Sequence, residues 1–328
     1  MPGWPLRRRL LCVSALAGLA AAAPSARAQS AWPAQSIRLI VPFAPGGTTD
    51  LTARLISGAL GERLGVSIII ENRAGAGATV GSEMAARAAP DGYTLLMSNI
   101  ASHGIGPSLY RNLRYDAVRD FTHVALIVSN PSVFVANPRA GIADLADLAR
   151  KHRETPRGLD MASSGAGSSN HMLIVQMGQL LGKEINHIPF RGAGPAMTAV
   201  ISGQVPLMSD SLPSAVAHLR QGSVVPVAMS SEDRHPAFPA VPTFREQGFD
   251  LVSTTWFGLS GPAGLPQPVV DRLSTELRAI LASAEIRTRF AELGGTPGGL
   301  SAEGYKQYVA AEVAHWAPIV QASGATAD

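Results

Sequence analysis

Residues 37–64 read IRLIVPFAPGGTTDLTARLISGALGERL, and this stretch decides the fold class of the chain. It joins an apolar strand, Ile37–Val41, through a turn rich in proline and glycine to an amphipathic helix, Thr49–Leu64. A second strand, Ser67–Glu71, follows with its own turn and a helix that ends near Ala89. Strands that alternate with helices predict a parallel sheet with helical crossovers, and therefore an α/β fold.

The same alternation returns in the middle of the chain, which predicts a second α/β lobe. Between the two blocks, Val124–Ser129 and Ser132–Ala136 are predicted as separate strands, and only helices are predicted near the C-terminal end. We expect a first lobe of residues 29–126 plus 257–328 and a second lobe of residues 127–256. Each lobe is expected to be a mostly parallel sheet flanked by helices, with a cleft at the hinge.

Length, composition and charge exclude several classes of protein. The chain has 328 residues, enough for two domains, and its 46% hydrophobic and 16% charged residues exclude a disordered chain or a coiled coil. The formal net charge of +3 includes four arginines before residue 29, where there is no acidic residue. The remainder has 23 basic and 24 acidic side chains, so a nucleic-acid or anionic-membrane partner is not expected.

The first 28 residues have the three parts of a secretory signal peptide. A basic triplet, Arg7–Arg9, precedes an apolar run, Leu10–Ala23, and a small-x-small cleavage site, Ala26–Ala28. Fourteen apolar residues are fewer than the roughly 20 that span a bilayer, and no later stretch is longer. The sequence therefore predicts cleavage before Gln29 and a periplasmic protein that is not inserted in the membrane.

No cofactor, metal site or catalytic centre is predicted. Cys12 is the only cysteine and lies in the leader, and the eight histidines form no H-x-x-x-H or H-E-x-x-H pair. The segment Gly75–Gly81 reads G-x-G-x-x-x-G, which is not the dinucleotide-binding spacing. Ser168, Ser169 and His171 lie close together, but their surroundings are not G-x-S-x-G. We expect the protein not to be an enzyme.

Three loops that lead into helices are candidates for ligand contact. The first, Pro42–Asp50, lies at the carboxyl end of the first strand, where open α/β sheets bind ligands. The second, Ser163–Asn170, is rich in small residues and hydrogen-bond donors, and the third is Gly192–Pro195. Unpaired N–H groups at a helix start can hold a carboxylate without Lys or Arg. The alternatives are a tight turn capped by one of residues 48–50, and a flexible linker at the second loop.

Two charged residues follow strands of the second lobe and are candidates for polar contact with a ligand. Asp210 lies in the segment Met208–Ser211, and Arg191 lies between a strand and the third loop. A charged residue at a strand end is also commonly solvated or paired, and both alternatives stay open.

Several long motifs, in the same order along the chain, resemble the Bug-type solute receptors of tripartite tricarboxylate transporters. They are Trp32-Pro33-x-x-x-Ile37, Val41–Gly47 with Asp50, Glu71–Gly77, Ala89–Leu95, Asn112–Tyr115 through Asp120-Phe121, Ser164–His171, Gly194–Ala196, Leu212–Ala215 and Trp256–Gly258. The resemblance extends over nearly the entire mature chain. It implies a monomeric periplasmic binding protein of the type II, venus-flytrap form, which closes on a small carboxylate and delivers it to the membrane subunits of a transporter.

In that family, the backbone of the first-lobe loop and of the second-lobe Ser/Gly loop, with bridging waters, holds a ligand carboxylate. The resemblance and the loops together predict ligand contacts at Phe43, Ala44, Pro45, Gly46, Gly47, Thr48, Ser102, Ser164, Gly165, Ala166, Gly167, Ser168, Arg191, Gly192 and Asp210. The chain differs from the common family pattern at Phe190–Gly192 and Ser209–Ser211. Those positions, with Ser98–Gly104, leave the ligand open among di- and tricarboxylates, acidic amino acids and aromatic carboxylates.

Two other functions remain as alternatives. A sensory protein would bind the same ligand but signal to a membrane kinase. An exported hydrolase would need an activated nucleophile, for which the sequence gives little support.

Overall fold

The structure is a computed structural model that describes Met1 and residues 32–327. The predicted leader, apart from Met1, and the cleavage site before Gln29 lie outside the described residues.

The secondary structure of the described residues alternates strands and helices as the sequence predicts. The strands are β1 Ile37–Val41, β2 Ile68–Asn72, β3 Thr94–Asn99, β4 Phe121–Ala136, β5 Asp160–Ser163, β6 Asn186–Pro189, β7 Leu207–Ser211, β8 Val225–Met229, β9 Thr254–Pro262 and β10 Thr296–Pro297. The α-helices are α1 Thr48–Leu64, α2 Thr79–Ala86, α3 Gly106–Leu109, α4 Leu145–Glu154, α5 Ser169–Leu181, α6 Ala193–Ser202, α7 Leu212–Arg220, α8 Gln267–Ala282, α9 Ala284–Glu292 and α10 Ala302–Ser323. A π-helical turn, Ala101–Ile105, leads into α3.

The strands form one continuous, mixed sheet in the order β2-β1-β3-β9-β4-β7-β5-β6, with β8 and β10 also paired to β4. Pairs β1–β2, β1–β3, β5–β6 and β5–β7 are parallel. All pairs that involve β4 or β9 are antiparallel. Antiparallel pairing is more extensive than the sequence predicts, because the chain passes from one half of the sheet to the other along β4 and returns beside it along β9.

We call the two halves lobes. The first lobe contains β1–β3, β9, β10, α1–α3 and α8–α10, and the second contains β5–β8 and α4–α7, while β4 belongs to both. Each has its own apolar core, built on residues such as Leu39 and Leu259 in the first lobe and Phe134 and Met161 in the second. The C-terminal helices return to the first lobe, where Leu273 of α8 joins its core.

Strand β4 is one strand of 16 residues, although the sequence predicts two. Its pairing with β9 ends at Pro131, and its pairing with β7 begins at Ser132. The proline therefore lies where the partner strand changes, a position at which its missing N–H is tolerated.

No helix within residues 32–327 combines the length and the hydropathy that crossing a bilayer requires.

Candidate ligand-binding cleft

A small cavity lies between the two lobes, at the carboxyl ends of strands from both of them. We call it the interlobe cavity. Its volume is about 30 Å³. It is lined by Phe43, Gly47, Thr48, Thr49, Asn99, Ile100, Ala101, Thr255 and Phe257 of the first lobe and by Ser164, Ser168, Ser169, Asn170, Ala193, Asp210 and Ser211 of the second.

The first-lobe loop is held in place by the buried carboxylate of Asp50. The Gly46 N–H donates to Asp50 Oδ2 at 3.0 Å, and Arg54 Nε donates to the same oxygen at 2.9 Å. Asn72 Nδ2 donates both to Asp50 Oδ1 and to the Phe43 carbonyl, at 3.1 and 3.0 Å. Burial alone would raise the pKa of Asp50, but the hydrogen bonds from Arg54, Gly46 and Asn72 hold that pKa below its ordinary value.

The start of α1 has no side-chain cap. Gly47 is the N-cap residue of this helix, and it has no side chain that could accept a hydrogen bond from the first turn. The alternative that one of residues 48–50 caps the helix is therefore wrong. Gly47, Thr48 and Thr49 all line the interlobe cavity, so the partial positive charge of the helix start lies beside it.

Three helices of the second lobe also begin at the interlobe cavity. Ser168 caps α5, with its Oγ accepting from the His171 N–H at 3.1 Å and donating to the Gly165 carbonyl at 2.7 Å. Helices α6 and α7 begin after Gly192 and Ser211, and neither has a side-chain cap hydrogen bond. Four helix N-termini thus converge on one small space, an arrangement that favours an anion.

Asp210 lies in the cavity wall and is fully buried. Its Oδ1 accepts from the Ser211 N–H at 2.8 Å, and its Oδ2 accepts from Ser214 Oγ at 2.7 Å. Burial raises the pKa of Asp210 to about 7, although both hydrogen bonds act to lower it. Thr48 Oγ1 donates to Ser214 Oγ at 3.1 Å, so a chain of hydroxyl groups links the first lobe to this carboxyl.

Direct hydrogen bonds join the lobes around the cavity. The Ala44 N–H donates to the Arg191 carbonyl at 3.2 Å, and Ser169 Oγ donates to Thr255 Oγ1 at 3.3 Å. Tyr110 Oη donates to the Ala166 carbonyl at 3.1 Å. The lobes are therefore in contact, and the cleft is closed.

Of the predicted contact residues, Phe43, Gly47, Thr48, Ser164, Ser168 and Asp210 line the interlobe cavity, and the others lie outside its lining. Those others are Ala44, Pro45, Gly46, Ser102, Gly165, Ala166, Gly167, Arg191 and Gly192. Ala44, Ala166 and Arg191 make the interlobe hydrogen bonds through their backbones, while the Arg191 side chain is exposed. Ser102 is buried behind the cavity wall, with its Oγ 2.8 Å from His103 Nδ1.

The cavity lining also includes ten residues that are not among the fifteen named contacts, although most of them belong to the three candidate loops or to the segments Ser98–Gly104 and Ser209–Ser211. These are Thr49, Asn99, Ile100, Ala101, Ser169, Asn170, Ala193, Ser211, Thr255 and Phe257. Asn99 ends β3 beside β1, so the rule that placed the first loop at the end of β1 could have found it. Phe257 lies in the family motif Trp256–Gly258, inside the returning strand β9, but that motif is not among the predicted ligand contacts.

A stacked pair of histidines supports the Ser/Gly loop from behind. The rings of His171 and His187 lie 3.9 Å apart at an angle of 16°. The Gly167 N–H donates to His171 Nδ1 at 3.1 Å, and Ser163 Oγ lies 2.6 Å from His187 Nε2. Burial lowers the pKa of His171 to about 4 and that of His187 to about 3. Neutral imidazoles therefore hold both ends of this loop at neutral pH.

Comparison with known proteins identifies the family. Residues 52–325 match the model of the tripartite tricarboxylate transporter family receptor. The chain is similar to three solved structures. Periplasmic binding protein BugD is 31% identical to it, and the match covers 90% of this chain and 99% of that one with a TM-score of 0.86. Rpa4515 of R. palustris with adipate is 32% identical (90% of this chain, 99% of that one, TM-score 0.87), and MatC (Rpa3494) from Rhodopseudomonas palustris with bound malate is 34% identical (88% of this chain, 99% of that one, TM-score 0.84).

These likenesses confirm the predicted two-lobed α/β fold of a periplasmic binding protein. The family and the fold are those of solute-binding receptors. The resemblance found in the sequence motifs is confirmed as well, since the family model covers most of the chain. The chain belongs to the receptor family of the tripartite tricarboxylate transporters.

Proposed function

We propose that this protein is a periplasmic receptor that closes its two lobes on a small carboxylate and delivers it to the membrane subunits of a transporter. The observation that carries this proposal is the convergence of four helix N-termini on the interlobe cavity. Helix starts without side-chain caps offer N–H donors and partial positive charge, which suit a carboxylate.

The chemistry of the cavity wall supports an anionic ligand held by neutral groups. Among the described residues that line it, there is no Lys or Arg. Asp50 lies behind the first-lobe loop, paired with Arg54 at 2.9 Å, so it positions the loop without directing its charge at the cavity. A carboxylate in this space would take its hydrogen bonds from backbone N–H groups and from the hydroxyls of Thr49 and Ser164.

The size of the cavity supports a mechanism in which the lobes separate and close. A volume of about 30 Å³ holds roughly two water molecules. A dicarboxylate would therefore enter while the lobes are apart, with β4 and β9 as the two hinge strands. We propose lobe boundaries close to residues 127 and 256, in the part of the sheet where β4 and β9 run side by side and the chain passes between the lobes. Ligand that contacts both lobes would stabilise the closed form, and that form would engage the transporter.

The relatives support the class of ligand. Structures that are 32% and 34% identical to this chain contain adipate and malate. We infer a di- or tricarboxylate, an acidic amino acid or an aromatic carboxylate for this chain. Side chains near Ser98–Gly104, Phe190–Gly192 and Ser209–Ser211 would select among them. All fifteen residues of the sequence prediction stay in the proposed site. Those of the cavity wall are proposed as direct contacts. Ala44, Ala166 and Arg191 take part through their interlobe backbone hydrogen bonds. The rest, including the buried Ser102, are proposed to hold the contact segments in place.

The proposal also covers export of the protein, its oligomeric state and its lack of enzymatic activity. We infer that the leader is cleaved before Gln29, that the mature receptor acts as a monomer, and that it has no enzymatic activity of its own. A sensory role remains the second candidate for the same binding site, and the genes that flank this one would separate it from transport.

The proposal is tested by native mass spectrometry of the protein purified from the periplasm, followed by thermal melts with a panel of carboxylates. The panel is citrate, malate, adipate, glutamate and nicotinate, with adipamide as the uncharged control. We expect at least one acid to raise the melting temperature in proportion to the logarithm of its concentration, and adipamide to have no effect. A protein that carries no acid and is stabilised by none of the panel would contradict the proposal.

A further inference from the structure

Asp210 is a carboxyl group in the wall of a cavity that is built to attract anions, and nothing in the proposed function uses its charge. We propose that Asp210 takes up a proton as the lobes close on a carboxylate and, in its neutral form, donates a hydrogen bond to that ligand. Binding would then consume one proton from solvent. This inference rests on the proposed function, because it concerns the same cavity.

The hydrogen bonds of Asp210 leave room for this role. Each carboxyl oxygen accepts one hydrogen bond, from the Ser211 N–H at 2.8 Å and from Ser214 Oγ at 2.7 Å. A carboxyl oxygen can take part in two, so either oxygen can carry a proton toward the cavity. Two donors are fewer than a buried carboxylate needs to replace its lost hydration.

No cation compensates the charge of Asp210. Among residues 32–327, it takes part in no ion pair with Lys, Arg or His. Its neighbours around the cavity are neutral: Val133 pairs with it in the sheet, Ser214 lies beside it on α7, and Thr48 reaches Ser214 from α1. Burial without a counter-charge favours the protonated carboxyl.

The titratable and charged groups on the surrounding elements are few. Near the cavity, helix α1 contributes Asp50 and Arg54, which neutralise each other in an ion pair, while its Glu62 and Arg63 lie at the far end of the helix. The neighbouring part of α5 contributes His171, whose ring stacks on His187 behind the loop. Strand β4 contributes His123 in the first lobe, where it bonds Ala117 and Ser260, and helix α6 has no charged residue. At its far end, α7 has His218 and Arg220, the latter bonded to the Glu292 carbonyl.

Closing on an anion strengthens the preference of Asp210 for a proton. In the closed cleft, burial already raises the pKa of Asp210 to about 7. A ligand carboxylate in the same cavity is a like charge, and two carboxylates that share a site raise the pKa of one of them. The bound state would therefore hold Asp210 neutral at pH values where the open receptor holds it ionised.

The measurable consequence is a dependence of affinity on pH. Where binding takes up one proton, the affinity falls about tenfold for each unit of pH. Between pH 7 and 8.5 we expect a fall of roughly 30-fold. A fall in affinity with rising pH is distinctive of this proton uptake. The ligand carboxylates themselves are fully ionised over this range, so their own titration does not change the affinity.

The test is isothermal titration calorimetry of the periplasmic protein with malate and adipate, in MES at pH 6 and in both HEPES and Tris at pH 7 to 8.5. Because these buffers differ in heat of ionisation, the difference between their binding heats counts the protons taken up. We expect close to one proton at pH 8. In the Asp210→Asn variant, which keeps the shape and has a donor at every pH, we expect affinity to be the same at pH 6 and 8.5. The control is Asp160→Asn, which removes an exposed carboxylate of the same lobe and should keep the slope of the unchanged protein.

Different results overturn different claims. Binding without proton uptake, or an Asp210→Asn variant that keeps the slope, overturns the role of Asp210 and leaves the receptor function standing. A third result would be that Asp210→Asn loses affinity for malate at every pH but keeps its affinity for adipate, which has no hydroxyl group. It would mean that an ionised Asp210 accepts a hydrogen bond from the malate hydroxyl, and it would also overturn the proposal. If no carboxylate binds the unchanged protein, the receptor function itself fails. Should Asp210→Asn not fold, proton uptake by the unchanged protein still decides the question.

Discussion

Gly47 occupies the N-cap position of helix α1 and also forms part of the cavity wall, two roles that favour different residues. It begins α1 without capping it, and it lines the interlobe cavity. A side chain that capped the helix would occupy the N–H groups that we propose for the ligand. The absence of a side chain therefore costs some helix stability and leaves the proposed anion site open.

At the residue scale, we predict that Gly47→Asp abolishes carboxylate binding while the protein stays folded. Asp is a preferred N-cap residue, so the melting temperature should be unchanged or higher. Its charge in the anion site should weaken binding at least about 100-fold, since like charges at close range cost several kcal/mol. Titration of the stabilising carboxylate by calorimetry measures the loss.

The matched control for this variant is Gly47→Asn, which has the same shape and capping ability but no charge. We expect it to bind more weakly than the unchanged protein and clearly better than Gly47→Asp. Equal affinity of the two variants would mean that the charge is irrelevant and that the anion lies elsewhere.

At the scale of elements, a clasp joins the turn Gly75–Ala78 and residue Tyr110 of the first lobe to the loop Gly165–Gly167 of the second. The close approach depends on Gly77, whose φ of +56° is left-handed and where a Cβ would lie 2.5 Å from the Ala166 carbonyl oxygen. Tyr110 Oη donates to that same carbonyl at 3.1 Å. These contacts join the two lobes, and none of the residues that make them lines the interlobe cavity.

We predict that Tyr110→Phe lowers the affinity for the carboxylate about fivefold, because one hydrogen bond of the closed form is worth roughly 1 kcal/mol. The loss should come mainly from faster dissociation, which stopped-flow fluorescence can measure. The control is Tyr93→Phe, since Tyr93 bonds only the Ala34 N–H within the first lobe among the hydrogen bonds described. If both variants release ligand at the same rate, the clasp has no part in closure.

At the scale of the whole molecule, several histidines are buried in the neutral form. Burial lowers the pKa of His123 and His171 to about 4 and that of His187 to about 3, and it lowers the pKa of His103 far below the ordinary value. The unfolded chain binds protons near pH 6.5, whereas the folded chain does not. The stability contributed by neutral burial is therefore complete above pH 6.5 and is lost as the pH falls toward 4.

We predict a marked fall in melting temperature between pH 7 and 4.5, with His123, His171 and His187 each costing on the order of 2 kcal/mol at the lower pH. Differential scanning calorimetry across this range measures it. His123→Gln should make the fall shallower, while His315→Gln, an exposed position, should leave it unchanged. A melting temperature that stays constant down to pH 4.5 would contradict the prediction.

Hydrophobic periodicity and turn residues predict the bounds of a helix or strand well where residues close in sequence decide its structure. The predicted strand Ile37–Val41 has the same bounds in the structure, and the predicted helix Thr49–Leu64 begins one residue earlier, at Thr48. The two strands predicted around Pro131 form one strand, because the pairing of a strand depends on distant partners that take over from each other at that proline. Periodicity and turn residues carry no information about such partners.

By itself, the sequence determined the α/β alternation, the family motifs and the two loops whose helix starts favour an anion. Only the tertiary structure decided what meets at the cavity. Asn99 and Phe257 reach it from separate strands, and Asp210 lies fully buried in its wall. Helix starts and turns are encoded by neighbouring residues. A shared cavity and a shifted pKa depend on residues that are far apart in the chain and close together only in the fold.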